Sequence, residues 1–530
     1  MAMPFHKSEI DFSVTGSIPP LVADYLAGKN SLTPFFDFYP NLAGFKKAIE
    51  KRKSLPVNRE TLVQVLRGQN QSAGEATLQN ITLLLDEKTF SVTTGHQLNL
   101  FTGPLYFIYK ILSVVKLTGW LKENFPDNHF VPVYWMASED HDIEEISHTY
   151  IFGNRVGWEP AGKGAAGKLS CRGVEPAIEK VKSLLGENES AAEIIALLTR
   201  AYNGNHSLAQ ATRILVQHLF AKYGLVILDA DDERLRKGFI PVMKQELLEK
   251  SSFQKSADTI ASLQSQGYEV QVHPREINLF YLGDNYRERI VHEDGKFRVL
   301  NRQEQWDEKG LLAELENHPG RFSPNVVLRP VYQEFLLPDI AYVGGPAEIA
   351  YWLEYKKLFD HFKVFFPALV LRNSAMLIDG ASAERMEKLR ISGSDLFKTA
   401  DELSADFIRH DQNAITFSEE AAAIAAAYDA MARKAGSLEA TFARSVEGEK
   451  QKQLNTLKSL EEKITRLQKK KHEISIQQIR KLKDKLFPDE SLQERHENFI
   501  SFYHKYGDSF FDNLLEAFEP AANRFLLLKT

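Results

Sequence analysis

The sequence predicts an α/β fold, a parallel sheet wrapped by helices, followed by a long helical arm. Three observations predict it. Between about residues 89 and 375, β-branched or apolar runs alternate with runs at helical spacing, as strands and covering helices do in a parallel sheet. From about residue 380 the strand signal disappears. The charge is also segregated: 65 basic and 71 acidic residues among 530 give a net −6, yet residues 445–485 alone carry a local +6. An acidic body and a basic arm account for both numbers.

Phe90–Thr94 is β-branched and is followed by a glycine, which fits a strand. Pro104–Phe125 follows with Leu105, Ile108, Tyr109, Leu112, Val115, Leu117 and Trp120 at helical spacing, and with its proline in the first turn, where proline is tolerated. Phe130–Ala137 is an almost continuous apolar run, the signature of a strand buried on both faces. A helix at about Leu208–Lys222 and strands at Leu225–Asp229 and Val326–Arg329 come next. Ile340–Val343 and Val364–Leu371 are further strands, separated by a helix over Ala347–His361. Residues 151–206, Gly-rich at first, and 268–325, a β-meander with polar turns, are expected as insertions on a core spanning 1–380.

Beyond that core, Glu419–Ala435 is alanine-rich, a strong helix former. Val446, Lys450, Gln453, Leu457, Leu460, Ile464, Leu467, Lys471 and Ile474 follow a 4–3 spacing, an imperfect coiled-coil seam. Ile476, Ile479, Leu482 and Leu486 mark a second amphipathic piece. Residues 381–505 are therefore expected as a coiled-coil domain, folded on itself or pairing with another chain. Residues 506–530 are expected as a C-terminal helix returning to the core.

Composition narrows the function classes. A chain 43% hydrophobic and 26% charged, with 34 Phe and 18 Tyr, has the makings of a globular core and not of a disordered tract. The first residues lack a basic region followed by an apolar run, so no secretory signal is expected. Apolar stretches such as Ile111–Leu121, broken by Lys116, fall far short of the ~20 residues of a membrane span. Net acidity argues against a nucleic-acid binder, and the basic excess of the arm is most simply its solvated face. The single cysteine, Cys171, can form neither an intramolecular disulfide nor a Cys-based zinc site, which fits a reducing cytoplasm. It lies outside the polar clusters and is expected to be a structural thiol.

Four polar clusters stand where strands are expected to end. The first places Thr94, Gly95, His96, Gln97, Asn99, Thr102 and Gly103 between a strand and a helix. Backbone N–H groups there, with the positive end of the helix dipole, suit a phosphate or carboxylate; a tight structural turn is the alternative. Tyr106 and Lys110 share a face of the following helix, and Lys110 can reach back towards an anion.

The second cluster, Ser138–Glu145, follows the buried strand that contains Trp135. Glu139, Asp140, Asp142 and Glu145 crowd around His141, and their repulsion raises the pKa of some unless cations compensate. Three readings stand: a carboxylate or His141 as general base, hard-metal ligation by Asp140, His141, Asp142 and Glu145, or an acidic helix N-terminus. The third joins Arg329, Tyr332 and Gln333 to Gly344, Gly345, Glu348 and Tyr351. Arg329 is a candidate clamp for a carboxylate or phosphate, and Tyr351 either lines an organic substrate or fills the core. Asp229–Asp232 repeats the theme, with a helix N-cap as the plain alternative. Together the clusters point to a shared crevice and to an enzyme acting on an anionic or nucleotide ligand.

Read in order, T-G-H-Q-x-x-L-F-T-G-P-L-Y-x-x-x-K, V-P-V-Y-W-x-A-x-E-D-H-D-x-x-E, R-P-V-Y-Q, G-G-P-x-E-I-A-Y-W and L-F-P-x-x-x-L-Q-E-R-x-E-N-F resemble the bacillithiol biosynthesis cysteine-adding enzymes. His96 departs from the family, in which glutamine is common at that position. The resemblance implies a Rossmann-like core related to the class I nucleotidyltransferases, with inserted connecting segments and a coiled-coil arm that contributes to a homodimer. It implies a cytoplasmic ligase that joins cysteine through an amide bond to the glucosamine amine of glucosaminyl malate, the last step of bacillithiol synthesis.

Such a reaction needs the cysteine carboxylate activated, most simply by ATP, with Mg²⁺ as a candidate companion. Thr94–Gln97 would then sit at the phosphates, with His96 or Thr102 against charge developing on the α-phosphate. Asp140, His141 and His96 are the expected catalytic residues. The Glu139–Glu145 cluster would hold the ammonium groups and take the proton of the attacking amine, and Arg329 and Lys110 would take the malate carboxylates. Neither a membrane nor a nucleic acid is expected as a partner. A metal-dependent hydrolase or nucleotidyltransferase built on Glu139–Glu145, and a non-catalytic scaffold built on the arm, are the competing readings.

Overall fold

The computed structural model describes residues 4–410, 417–437 and 439–530, so residues 411–416 and 438 of the expected coiled-coil domain lie outside the described residues. The chain divides into two compact units, Met1–Leu377 with Ser491–Thr530, and Ile378–Glu490.

The sheet of the first unit is built from β1 (Thr89–His96), β2 (His129–Met136), β3 (Val226–Asp229), β4 (Asp339–Gly344) and β5 (Ala368–Leu371). Its order is β5-β4-β1-β2-β3, with neighbouring strands parallel throughout. The order reverses direction at β1, which lies between β2 and β4. Connections leave this point towards opposite sides, and the crevice they open at the carboxyl ends is where sheets of this kind bind ligands. β1 is buried at all of its residues and β2 at all but its first, which is why these strands are apolar runs without alternation.

Helix α1 (Tyr106–Asn124) returns the chain from β1 towards the start of β2. The link into it is tight. Phe101, Thr102 and Gly103 all have positive φ, and a Cβ on Gly103 would stand 2.6 Å from that of Asn99, so this position requires glycine. The Asn498 amide donates to the carbonyls of Phe101 at 2.9 Å and Gly103 at 2.6 Å, clamping the turn from the C-terminal segment.

Several boundaries differ from expectation for identifiable reasons. β1 continues through Gly95 and His96, which pair with Trp135 and Met136. Val326–Arg329, expected as a strand, is a turn: the Asn325 side chain accepts from the N–H groups of Val327 and Leu328, and Pro330 then opens helix α2 (Arg329–Leu336). β5 starts only at Ala368, after Pro367, which has no N–H for a sheet ladder. The helix expected over 347–361 is two, α3 (Pro346–Leu353) and a short one at Lys356–Phe362.

Both insertions carry their own structure. Residues 268–325 hold an antiparallel sheet of Leu279–Gly283, Tyr286–Glu293, Lys296–Val299, Gln305–Trp306 and Phe322–Pro324, the meander that the sequence predicts. Residues 151–206 hold the helices Glu175–Leu185 and Glu189–Ala201 around the buried Cys171, whose thiol is pushed up to about 12 by burial. Residues 506–530 are not one helix. Ser509–Ala517 is helical, Pro520 follows, and the apolar run Arg524–Lys529 pairs as a strand with His6–Asp11, beside Ser374–Ile378.

The second unit is helical, with segments Gly380–Lys388, Ala400–Arg409, Ser418–Gly436, Ala440–Lys471 and Glu473–Leu486. Ala440–Lys471 spans 32 residues, about 48 Å at the helical rise. It packs against Ser418–Gly436, with Lys450 and Asp429 paired at 2.7 Å. No helix among the described residues is long and apolar enough to cross a membrane.

Candidate active site

A cavity of about 960 Å³ opens at the carboxyl ends of β1, β2 and β4, where the sheet order reverses. Thirteen of the expected site residues line it: Gly95, His96, Gln97, Tyr106, Lys110 and Trp135 from the first half of the sheet, Glu139, Asp140 and Glu145 after β2, and Arg329, Gly345, Glu348 and Tyr351 from the later segments.

Others are engaged elsewhere. Thr94 donates to the carbonyl of Val343 at 2.7 Å, tying β1 to β4. Asn99, Thr102 and Gly103 belong to the clamped turn, whose N–H groups are spent inside the protein: Phe101 donates to the Tyr202 hydroxyl at 3.1 Å, and Thr102 and Gly103 donate to the carbonyls of Asn99 and Leu100, so they form no phosphate cradle. Ser138 donates to Asp229 at 2.5 Å in a neighbouring pocket that Asp231, Lys168 and Arg213 also line. Asp142 caps the short helix Ile143–Ile146 by accepting from the Glu145 N–H. Tyr332 and Gln333 are fully buried on α2. Gly344 allows a close approach, since a Cβ there would stand 3.0 Å from those of Glu348 and the Tyr342 ring edge.

The charges lining the cavity are lopsided. Arg275, Arg287, Arg289, Arg329, Arg372 and Arg495 join Lys110 against the carboxyls of Glu139, Asp140, Glu145 and Glu348. Two of those four carboxyls are already neutralised, since Glu139 pairs with the fully buried Arg236 and Glu348 pairs with Lys110 at 2.5 Å. Burial lowers the Lys110 pKa, Glu348 offsets this, and the ammonium also donates to the carbonyl of Gly95 at 2.8 Å. Lys110 is therefore part of the cavity's frame and not a free anion clamp. Arg372 pairs at 2.7 Å with the buried Glu494.

Arg287 and Arg329 differ from these. Arg287 donates to Ser323 Oγ and the Pro324 carbonyl at 3.0 Å and to His141 Nδ1 at 3.2 Å. Arg329 Nη1 donates to Gln333 Oε1 at 2.9 Å, and its Nη2 has no hydrogen-bond partner among the described residues. Among the described residues neither guanidinium has a carboxylate within ion-pair distance.

The acidic side of the cavity is organised by Gln97, whose amide donates to Asp140 Oδ2 at 2.6 Å and to Glu145 Oε2 at 3.0 Å. One side chain thus holds both carboxylates side by side. His141 is half-exposed, with its pKa lowered by burial and then by the Arg287 charge. Because Arg287 donates to Nδ1, that lone pair is occupied and the proton of the neutral ring sits on Nε2. Asp140 is thus better placed than His141 to receive a proton. His96 is buried against Tyr106 and Phe107, its pKa well below the usual value through burial and then the charges of Lys110 and Arg372. It acts as a neutral imidazole, able to donate a hydrogen bond but carrying no charge. No three His, Cys, Asp or Glu side chains among the described residues converge as metal ligands.

The sequence reasoning missed most of the arginines. Arg372 directly follows β5, so the strand-end rule that found the other clusters applied to it as well. Arg287 and Arg289 alternate on the strand Tyr286–Glu293 and so share a face. Nothing local shows that this face meets the sheet.

Comparison with known proteins also divides the chain near residue 375, but assigns Ser491–Thr530, which belongs to the first compact unit, to the C-terminal part. Residues 5–373 match the family described as Bacillithiol biosynthesis BshC, N-terminal Rossmann-like domain, and residues 375–530 match its C-terminal coiled-coil domain. A relative from Flavobacterium psychrophilum, named "Putative cysteine ligase BshC", is 42% identical over 526 residues, covering 98% of this chain and 99% of the relative. One from Christiangramia forsetii with the same name is 42% identical over 98% of both chains. A more distant namesake from Salinibacter ruber is 29% identical over 95% of this chain and 94% of its own.

Proposed function

Because the chain belongs to the bacillithiol biosynthesis BshC family, we propose that it is a cysteine ligase, forming the amide bond between cysteine and the glucosamine amine of glucosaminyl malate. The observation that carries this reading is the pair Arg287 and Arg329, two guanidinium groups in one cavity that, among the described residues, hydrogen-bond only to neutral groups. Guanidinium groups without a directly paired carboxylate call for an anionic ligand, and every substrate of the reaction carries one. A cavity of about 960 Å³ is large enough for a sugar acid beside an amino acid.

In this reading Arg329 and Arg287 take the malate carboxylates, with Arg275, Arg289 and Arg495 adding to the positive field. Asp140 and Glu145, joined by Gln97, receive the amine. ATP transfers its adenylyl group to the cysteine carboxylate, releasing pyrophosphate. The glucosamine nitrogen then attacks the activated carbonyl, AMP leaves, and Asp140 accepts the proton lost by nitrogen. His96 donates a neutral hydrogen bond to the charge developing on oxygen. The enzyme works in the cytoplasm as a homodimer held by its helical unit.

Reconstitution with cysteine, glucosaminyl malate and ATP tests the proposal, with mass spectrometry for the thiol product and for AMP against ADP. Product with stoichiometric AMP is expected. Product with ADP would replace the adenylate by an acyl phosphate, and absence of product with any nucleotide would overturn the ligase.

A further inference from the structure

Behind Arg329 lies a fully buried polar network that reaches through the sheet. Gln333 stands one helical turn after Arg329 on α2 and has no exposed surface. Its Oε1 accepts from Arg329 Nη1 at 2.9 Å. Its Nε2 donates to Glu334 Oε1 at 2.8 Å and to Asp339 Oδ2 at 3.4 Å. Asp339, the first residue of β4, is fixed in turn by the hydroxyls of Ser91 and Thr93 on β1, the latter at 2.6 Å. Both acids are completely buried. Arg52 closes the far end by donating to the carbonyls of Glu334 at 3.3 Å and Leu337 at 2.6 Å.

Directionality follows from the donor and acceptor inventory. An amide has two donor protons on nitrogen and an acceptor oxygen. The guanidinium can only donate, so the Gln333 oxygen must face Arg329 and its nitrogen then faces the carboxyl oxygens of Glu334 and Asp339. A flipped amide would leave a buried donor against the guanidinium and a buried acceptor against two acids. The guanidinium and the carboxyl pair thus agree on one amide orientation, and that amide holds the guanidinium in place. On its other sides Arg329 is bounded by the Tyr342 ring, 5.9 Å from its Cζ, and by Gly95, whose missing side chain leaves room for Nη1.

We propose that Gln333 is a positioning residue for substrate binding, holding Arg329 in the orientation that presents its charge to the anionic group of the ligand. The inference rests on the reading of Arg329 given above and extends it to a residue that never touches substrate. The Glu334–Asp339 pair supports the same orientation from behind. A glutamine serves where a carboxylate would not, because it orients the guanidinium without neutralising it.

The test is Gln333→Met, which keeps the length of the side chain and removes both polar functions, examined in the full-length protein. Two measurements are made. A crystal structure of the variant should show the Arg329 guanidinium displaced or in several orientations. The KM for glucosaminyl malate should rise about tenfold, the loss of a hydrogen bond to a charged group, while kcat and the KM for cysteine change less than about threefold. The double variant Gln333→Met with Arg329→Met should be no worse than Arg329→Met alone. An undisturbed Arg329 in the variant structure would overturn the inference. A displaced Arg329 with unchanged KM would leave the positioning intact and overturn the assignment of Arg329 to substrate. An equal fall in kcat/KM for both substrates, additive with Arg329→Met, would mark Gln333 as merely structural.

Discussion

Lys110 and Glu348 meet at 2.5 Å in the cavity wall, one from the first turns of α1 and the other from the first turn of α3. Glu348 also accepts from the Tyr342 hydroxyl at 2.6 Å and the Gly345 N–H at 2.8 Å, and Lys110 from its side grips the carbonyl of Gly95. The pair thus joins the ends of β1 and β4, the two strands between which the crevice opens. Burial acts against both charges, and each is kept ionised by the other. Removing only one partner leaves the other uncompensated, so Lys110→Met should cost about 3–5 kcal/mol. Adding Glu348→Gln should recover much of that loss. Urea denaturation of the three proteins checks this, and a Lys110→Met midpoint equal to that of the wild type would show the pair to be dispensable.

Arg287 and Arg329 come to the cavity from unrelated segments, an inserted sheet and helix α2. If both hold carboxylates of the malate moiety, Arg287→Met and Arg329→Met should each raise the KM for glucosaminyl malate by about 10- to 100-fold, as expected for lost charge-assisted hydrogen bonds. The KM for cysteine should change far less. Steady-state kinetics with each substrate varied in turn gives the answer. Equal effects on both substrates would mean that the arginines serve the cavity's general field only.

The contrast between these arginines shows what a sequence of this kind exposes. Parallel strands buried on both faces announce themselves by length of apolar run, so β1, β2 and β4 and the polar residues after them are legible, and Gln97, Asp140, Glu145 and Gly345 with them. Arg329 is legible as a residue but not as an element, because Val326–Leu328 looks like a strand until the Asn325 side chain turns it. Arg287 and Arg289 sit in an ordinary amphipathic strand, and their role depends on where an insertion folds back, which is long-range packing information. Thr102 and Asn99 illustrate the opposite error. A turn rich in glycine and hydroxyls before a helix looks like an anion cradle, but its N–H groups donate to the hydroxyl of Tyr202, 101 positions away, and to carbonyls within the turn itself.

Asp140 is expected to take the proton of the attacking amine, and its carboxylate is held for that task by Gln97 and by the His141 N–H at 2.7 Å. Asp140→Asn preserves shape and hydrogen-bond capacity while removing the base. It should lower kcat by about 10²- to 10⁴-fold with an unaltered melting temperature. His141→Ala should cost less, since its Nδ1 lone pair is already engaged by Arg287. Pre-steady-state measurement of amide formation separates the two, and a larger loss for His141→Ala would reverse the assignment.

The buried pair Glu334 and Asp339 makes stability depend on pH. Burial raises Asp339 to about 6 and also raises Glu334, which Asp339 pushes further. The folded state therefore binds protons more tightly than the unfolded chain between the ordinary carboxyl range and about pH 6. In that window the unfolded chain holds fewer protons, so this pair's contribution to stability falls as pH rises. Asp339→Asn removes one titrating group while remaining an acceptor for Ser91 and Thr93. Its stability should be flatter than the wild type's between about pH 4.5 and about pH 7, as read from urea midpoints at each pH. A steeper dependence in the variant would contradict the assignment.

The helical unit carries the last expectation. Leu460, Leu467 and Ile474 recur every seven residues, and all three are solvent-exposed, at 45%, 71% and 75%. Leu460 and Leu467 lie on the helix Ala440–Lys471 with Phe442, which is 63% exposed, and Ile474 continues the spacing on the next helix, Glu473–Leu486. A heptad of large apolar side chains facing water is unfavourable by roughly 1.5–3 kcal/mol for each chain that could be buried, and a second copy of the same helix offers the complementary stripe. The protein should therefore have twice its 60.2 kDa chain mass in solution. Leu460→Glu combined with Leu467→Glu places like charges on both partners of that seam and should return the mass to that of one chain. Light scattering after size exclusion measures both states. The cavity is lined by residues of the first unit alone, so the monomeric variant should still bind glucosaminyl malate; a wild type that is monomeric at micromolar concentration would remove the dimer from the proposal and leave the ligase untouched.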